Sequence, residues 1–482
     1  MSSLLDTLIA AALRGEATSG AFEALGASDP ALTATRVGEA VAHDDLAAAR
    51  ERWLPELLLS ARPGYAAHCL VELAARYRGT RGRPLDLSRM PGLPRLLGSS
   101  DFLARLLLRH PHWCEELAGD PPDAPDAGTI EPDWTAIRIA KYKGLLRIAA
   151  RDIAGRPFEH SLDELSQLAD RCLGAALGAA SRETDAPPPA LFALGKLGGA
   201  ELNFSSDVDL LFLYESAEGE PDMERHASVA RLVQVFKKHL EVPSEDGFGY
   251  RVDLELRPEG RGGVIANPVD AALGYYESFG ADWERQMMIR LRHVAGPRAT
   301  AEAFERGIGP FVWRRSVGPE AIRGVRAMKR RIEDERLEAG RDLEADLKEG
   351  PGGIRDVEFL LQAFQLFFGG REPALRTGNV LLGLDALARL GQLPEPVTEA
   401  LRDAYLWLRR AEHCVQMVDE RQTQAFPREP TAQLGLARRM GYAEPEGRHA
   451  REALLDDWTR VRTEVRRHFE NLVLESARAD EP

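Results

Sequence analysis

The sequence predicts a mostly α-helical chain carrying one small inserted α/β domain, followed by a further helical domain. Three observations lead there. Apolar residues recur at helical spacing over long stretches at both ends of the chain. Between them lie short β-like runs, Leu191–Leu194, Val208–Tyr214 and Tyr250–Leu256. Pro187-Pro188-Pro189 marks the point where the pattern changes. The boundaries read as 1–186 for the N-terminal helical region, 187–318 for the inserted domain and 319–482 for the C-terminal helices.

In the first region, Leu4–Leu13, Leu46–Leu59 and Asp101–His110 have helical periodicity, punctuated by Pro63-Gly64 and Pro91-Gly92. Residues 119–132, rich in Pro, Asp and Gly, read as a surface loop. Helices are expected over about 133–154 and 161–182. In the inserted domain, Arg225–Leu240 places Val229, Leu232, Val233, Phe236 and Leu240 on one side of a helix. Beyond it, 320–340, 355–368, 379–390, 397–420 and 450–476 are candidate helices, and Ala477–Pro482 is expected to fray. Arg323, Arg326, Lys329 and Arg330, with Glu333 and Glu335 further on, read as a solvated helix face. His110 and His112 beside Pro111 read as packing or capping groups.

Composition narrows the function classes. The 482 residues carry a net charge of −14, which disfavours nucleic acid as a partner because phosphates repel an acidic surface. Cys69, Cys114, Cys172 and Cys414 are far apart and form no CxxC pair, which argues against a zinc site or a disulfide framework and suits a reducing cytoplasm. No segment approaches the roughly 18 apolar residues of a membrane span, and the N-terminus has no basic stretch ahead of an apolar run. A cytoplasmic protein without a membrane partner is expected.

The chemistry concentrates in Gly195-Lys196-Leu197-Gly198-Gly199-Ala200-Glu201-Leu202-Asn203-Phe204-Ser205-Ser206-Asp207-Val208-Asp209-Leu210. Glycines after a strand let backbone N–H groups approach a phosphate. Asp207 and Asp209 are two apart on a strand, so their carboxylates share a face while Val208 and Leu210 point into the core. Two adjacent carboxylates repel one another unless a cation lies between them, and a hard divalent ion is the natural occupant. A third carboxylate on a neighbouring strand would complete a two-metal clamp for displacement at phosphorus. Asp253 and Glu255 share one face of the run Tyr250–Leu256, and either could supply it. No Ser-His-Asp or Cys-His arrangement is evident, so a covalent intermediate is not expected.

The segment Gly195–Phe212 resembles the signature of the bacterial glutamine synthetase adenylyltransferase/adenylyl-removing family, of the DNA polymerase β-like nucleotidyltransferase superfamily. Further anchors are Arg147-Ile148-Ala149 with Asp152, Glu164-Leu165-Ser166, Leu168-Ala169-Asp170, and Arg251-Val252-Asp253-Leu254 with Leu256-Arg257-Pro258. Trp283-Glu284-Arg285 with Arg290 and Arg292 resembles the family's basic helix. Lys348 with Gly350–Phe359 resembles the opening of its following helical domain, and Leu408-Arg409, Glu412-His413, Gln416 and Gln422-Thr423 resemble a later helix and its end. The resemblance implies a nucleotidyltransferase fold for the inserted domain. Family members usually carry two copies of that domain; this chain holds one. Its Asn203-Phe204-Ser205-Ser206 spelling resembles the N-terminal, adenylyl-removing copy, whether as a fragment or as a separately encoded protein.

That resemblance implies phosphorolysis: phosphate attacks an adenylyl-tyrosine of glutamine synthetase and releases ADP. It implies two Mg²⁺ or Mn²⁺ ions on Asp207, Asp209 and Asp253, and regulation through a PII signalling protein. Phosphate or nucleotide would be held by Gly198, Gly199, Ser206, Arg257, Lys348 and Arg355, with Glu255, Arg285, Arg290 and Arg292 as further candidates. Arg257, at the end of the third-carboxylate strand, is the foremost of the basic groups. The chain departs from the pattern at Glu255, where arginine is common, at Gln424, a usual histidine, and at Arg290, a usual lysine. Alternatives are ATP-dependent adenylyl transfer to glutamine synthetase and a non-catalytic module that binds glutamine synthetase or PII.

Overall fold

The structure, a computed structural model, describes residues 4–118, 128–216, 223–245, 247–315, 320–442 and 448–478. Helices dominate both ends, and a five-stranded sheet sits between them. The strands are β1 (Ala190–Ala193), β2 (Val208–Tyr214), β3 (Val252–Asp253), β4 (Asn267–Pro268) and β5 (Arg292–Ala295). β1 lies between β5 and β2, antiparallel to both, while β3 and β4 pair in parallel with successive parts of β2.

The sheet divides the interior by the parity of its side chains. Leu191 and Ala193 of β1, with Val208, Leu210, Phe212 and Tyr214 of β2, pack into a core shared with the N-terminal helices. Ala190, Phe192, Leu211 and Leu213 pack into a second core built with the C-terminal helices. Side chains two apart on a strand share a face. Asp209 therefore stands on the same face as Leu211 and Leu213, toward the C-terminal helices.

Most expected helices form, for local reasons. Asp133 caps Trp134–Ile153 by accepting from the N–H groups of Thr135 and Ala136, and Asn379 caps Val380–Arg389. His110 stacks on the buried Trp113 at 4.3 Å, a packing role. No helix among the described residues is long and apolar enough to cross a membrane. Residues 119–127 of the expected loop and 479–482 of the expected frayed end lie outside the described residues, while Ala477 and Arg478 continue the helix Arg448–Arg478.

Pro63 punctuates the helices as expected, opening the one over Pro63–Arg81, since proline at the first helical position loses no hydrogen bond. Several expectations are corrected. The helix expected over 397–420 is Glu395–Gln416. The run 250–256 yields a strand of two residues only: the Asp253 carboxylate accepts the N–H of Glu255 at 2.7 Å and turns the chain. Lys329 is not on a solvated face. It is buried, bonded to Asp356 at 2.9 Å, Glu333 at 3.3 Å and the Glu349 carbonyl at 2.7 Å.

The loop between β1 and β2 is held by a buried polar network on the helix Glu395–Gln416. Glu412 accepts from Lys196 Nζ at 2.7 and 2.8 Å and from Asn203 Nδ2 at 2.6 Å. Arg409 donates to Asn203 Oδ1 at 2.8 Å and to the Glu201 carbonyl. Glu412→Ala leaves Lys196 and Arg409 buried without their shared carboxylate, an expected loss of about 3–5 kcal/mol in urea denaturation. Lys196→Met with Glu412→Leu is expected to recover part of it. A loss below about 1 kcal/mol in the single variant would show that the network does not hold the loop.

Candidate functional site

The register of β2 and β3 builds the acidic wall of the site. Asp209 and Asp253 are paired neighbours across the parallel ladder. Burial, and next the adjacent Asp253 and Asp207, push the Asp209 carboxyl up to about 6. Asp207 is engaged by Arg251 Nε at 2.5 Å and by Gln422 Nε2 at 2.8 Å. All three aspartates line one cavity of about 420 Å³, together with Gly195, Lys196, Ser206, Lys348 and Arg355. This volume suits a small-molecule ligand.

Gly195 is required by close approach. Its φ is +55°, and a Cβ there would lie 2.2 Å from Asp209 Oδ2. Lys196 is largely shielded from solvent, which pulls its ammonium down to about 8 against the attraction of Glu412. Lys348 forms no ion pair with a described residue, and its charge draws the Asp209 carboxyl down. Arg355 pairs with Glu349 at 3.0 Å and reaches Glu358 at 3.8 Å.

The other expected residues fall elsewhere or are already engaged. The N–H groups of Gly198 and Gly199 donate to the Leu194 and Gly195 carbonyls, so neither is available to a phosphate. Gly198 serves packing instead, because a Cβ would lie 1.8 Å from the Arg290 carbonyl. Arg257 gives its guanidinium to the carbonyls of Leu254, Arg261, Gly263 and Val264, closing the loop after β3 outside the cavity. Glu255 is turned to solvent and paired with Arg261 at 2.6 Å. Arg292 fixes Asp170 at 2.7 Å and the Leu197 carbonyl at 2.8 Å. Arg285 is buried beside Asp282 and does not line the cavity. Arg290 does line it, but bonds Glu358 at 3.1 Å and lies 3.6 Å from Glu201. Although burial opposes it, Arg290 and Arg355 hold Glu358 at about 2. The expected basic helix ends at Met288, so Arg290 and Arg292 lie beyond it.

Sequence reasoning gave no role to Arg251, Gln422 or Lys196. All three lay in quoted motifs. Arg251 is the only one whose role had a local signal, two residues before Asp253.

A divalent cation is the group such carboxylates imply. Among the described residues no three His, Cys, Asp or Glu side chains are gathered around one point, and Asp207 is held by Arg251 and Gln422. The donor chemistry nonetheless fits a hard cation. Asp209 and Asp253 crowd their charges in register, and the buried Ser206 hydroxyl on the cavity wall lacks a hydrogen-bond partner.

The glutamate-ammonia ligase adenylyltransferase family matches residues 91–307, and the GlnD PII-uridylyltransferase family matches 326–473. A bifunctional glutamine synthetase adenylyltransferase/adenylyl-removing enzyme of Stenotrophomonas maltophilia K279a is 40% identical over 425 residues, 82% of this chain and 44% of that protein. One of Xanthomonas campestris pv. campestris B100 is 37% identical over 449 residues, 88% of this chain and 47% of that protein. The chain belongs to the glutamate-ammonia ligase adenylyltransferase family. It spans somewhat under half the length of these relatives. These relatives are named for adding an adenylyl group to glutamine synthetase and for removing it.

If Asp209 is a metal ligand, Mn²⁺ or Mg²⁺ raises the thermal midpoint of the full chain, by the equivalent of about 2.7 kcal/mol at one hundred times the dissociation constant. Asp209→Asn is expected to weaken that response at least about tenfold. A midpoint unmoved by saturating Mn²⁺ in the unaltered protein would remove the cation site.

Proposed function

We propose that the chain removes AMP from an adenylyl-tyrosine of glutamine synthetase by phosphorolysis, in the cytoplasm. The observation that carries this reading is the cavity lined by Asp207, Asp209 and Asp253 together with Lys348 and Arg355, in a chain of this family. An oxygen of inorganic phosphate attacks the adenylyl phosphorus. The bond from phosphorus to the tyrosine oxygen breaks, ADP forms, and the tyrosinate takes up a proton. Both reactants are anions, so the reaction needs positive charge held where they meet.

Asp207, Asp209 and Asp253 would hold two divalent ions, Mg²⁺ or Mn²⁺, which supply neutralisation of phosphate and tyrosinate charge. Lys348 is free of ion pairs among the described residues and can give its full charge to a phosphate. Arg355 shares its charge with Glu349, so it orients rather than neutralises. Ser206 offers an unused hydroxyl. Lys196, fixed by Glu412, holds the β1–β2 loop against the carboxylates. Release of Asp207 by Arg251 would free its carboxylate for a ligand.

Removal rather than addition is favoured by the Asn203-Phe204-Ser205-Ser206 spelling. Asn203 is buried and bonded to both Glu412 and Arg409, which ties that spelling to the way the loop is held. The curated relatives are named for both activities. A PII protein is the proposed regulatory partner, in keeping with the match of the C-terminal helices to a PII-uridylyltransferase family.

The test combines the full chain with adenylylated glutamine synthetase, Mg²⁺ and inorganic phosphate, with and without uridylylated PII. Phosphate-dependent ADP release is expected, falling by about 10³-fold or more in Asp253→Asn. AMP transfer from ATP without any ADP release from the modified enzyme would reverse the assigned direction. In the same assay Glu255→Arg is expected to leave the apparent phosphate affinity within about twofold, because Glu255 points to solvent. A larger gain would mean that residue 255 reaches the site.

A further inference from the structure

The cavity has a second kind of wall, which phosphate chemistry does not require. Three helices after the sheet build it. From Asp282–Met288 come Trp283, Gln286 and Met287, one face of the helix by their spacing. Met328 and Ile332, four apart, come from Glu320–Glu338, and Phe359 and Gln362, three apart, from Ile354–Phe368. A phosphate needs charge and a few donors. Indole, thioether and phenyl groups around it would only strip it of water.

Two features of this wall call for a flat heteroaromatic ligand. Trp283 is 43% exposed although apolar neighbours line the same cavity. An indole face left open beside apolar groups is a stacking surface. The second feature is an amide pair. Gln286 and Gln362 are 4% and 7% exposed, and Gln286 Nε2 donates to Gln362 Oε1 at 2.6 Å. This bond leaves Gln286 Oε1 as an acceptor and Gln362 Nε2 as a donor, neither with a partner among the described residues. Both atoms open on the cavity, where a ligand can reach them. Reversing both amides leaves the same two groups with their roles exchanged, so the pair always offers one acceptor and one donor together.

We propose that Trp283, Gln286 and Gln362 form the nucleobase subsite of the cavity. The base stacks on the Trp283 indole, and its edge is read by the amide pair, the free oxygen accepting from the exocyclic amine and the free N–H donating to the neighbouring ring nitrogen. Adenine carries that donor-beside-acceptor edge, as cytosine does, and primary amides match it; the wider purine ring is what favours adenine on the indole. The inference rests on the adenylyl reading of the carboxylate wall and adds the residues that hold the base. The two walls divide the work: the strands handle phosphorus and the three helices handle the base.

Isothermal titration of the full chain with ADP, CDP and inorganic phosphate, in the presence of Mg²⁺, tests it. In the unaltered protein ADP is expected to bind more tightly than CDP. Trp283→Leu is expected to weaken ADP about 10- to 100-fold while leaving inorganic phosphate unchanged, and Trp283→Phe to restore much of the affinity. Gln286→Leu is expected to weaken ADP by about tenfold while leaving inorganic phosphate unchanged. ADP bound as tightly by Trp283→Leu as by the unaltered chain would overturn the subsite while leaving the adenylyl reading intact. An unaltered chain that binds phosphate but no ADP would overturn both. Trp283 is half in solvent, so its variants are expected to keep the far-ultraviolet circular dichroism of the parent, and they decide the question even if Gln286→Leu does not fold.

Discussion

The site depends on one buried interaction, the carboxylate of Glu412 beneath Lys196 and Asn203. The loop between β1 and β2 contains no long regular element and is rich in glycine, so its own backbone cannot fix it. Glu412 and Arg409, one helical turn apart, grip it from the helix Glu395–Gln416. Ser205 continues the attachment, accepting nothing from its own loop but bonding Gln416 through its N–H and the Glu420 carbonyl through its hydroxyl. The C-terminal helices thereby decide where the carboxylate strand begins.

The same arrangement explains why a charged cavity persists inside a folded chain. Three carboxylates lining one cavity oppose folding unless their charge is met. Here Asp207 is met by Arg251, Asp253 by a backbone N–H, and Asp209 is left with its carboxyl raised. Around them, Arg290 and Arg355 are tied to Glu358 and Glu349, so the cations nearest the site are themselves restrained. Lys348 is the exception, which is why it is the group best able to respond to an incoming anion. The cost of an incompletely neutralised cluster is carried by two cores, one on each side of the sheet.

The arginines show where sequence reasoning stops. Arg257 and Arg292 were reasonable phosphate ligands from their neighbourhood in the chain. A guanidinium carries five donors, and a sequence does not reveal whether a carbonyl or a substrate will take them. Arg257 gives its donors to the Leu254 carbonyl before it and to three carbonyls of the following loop, and Arg292 to Asp170 and a carbonyl from the glycine segment. Gly198 and Gly199 misled for a related reason. Their permissive backbone serves a short helix packed against the Arg290 carbonyl. Lys329 erred in the opposite sense, because its buried partners on the helix Ile354–Phe368 and the loop before it cannot be inferred from the helix that carries it.

Sequence alone determined the periodic features: the long helices, the strand at 208–214 and the shared face of Asp207 and Asp209. These follow from side-chain direction within one element, which is a local property. The pairing of Asp253 with Asp209, and the exclusion of Glu255 by a turn only two residues further on, came from a ladder and a hydrogen bond that spacing does not specify. The cavity itself was decided by tertiary structure. Its walls come from strands and helices between 195 and 424 in the chain, and only packing brings Trp283, Gln362 and Lys348 to one space with the carboxylates.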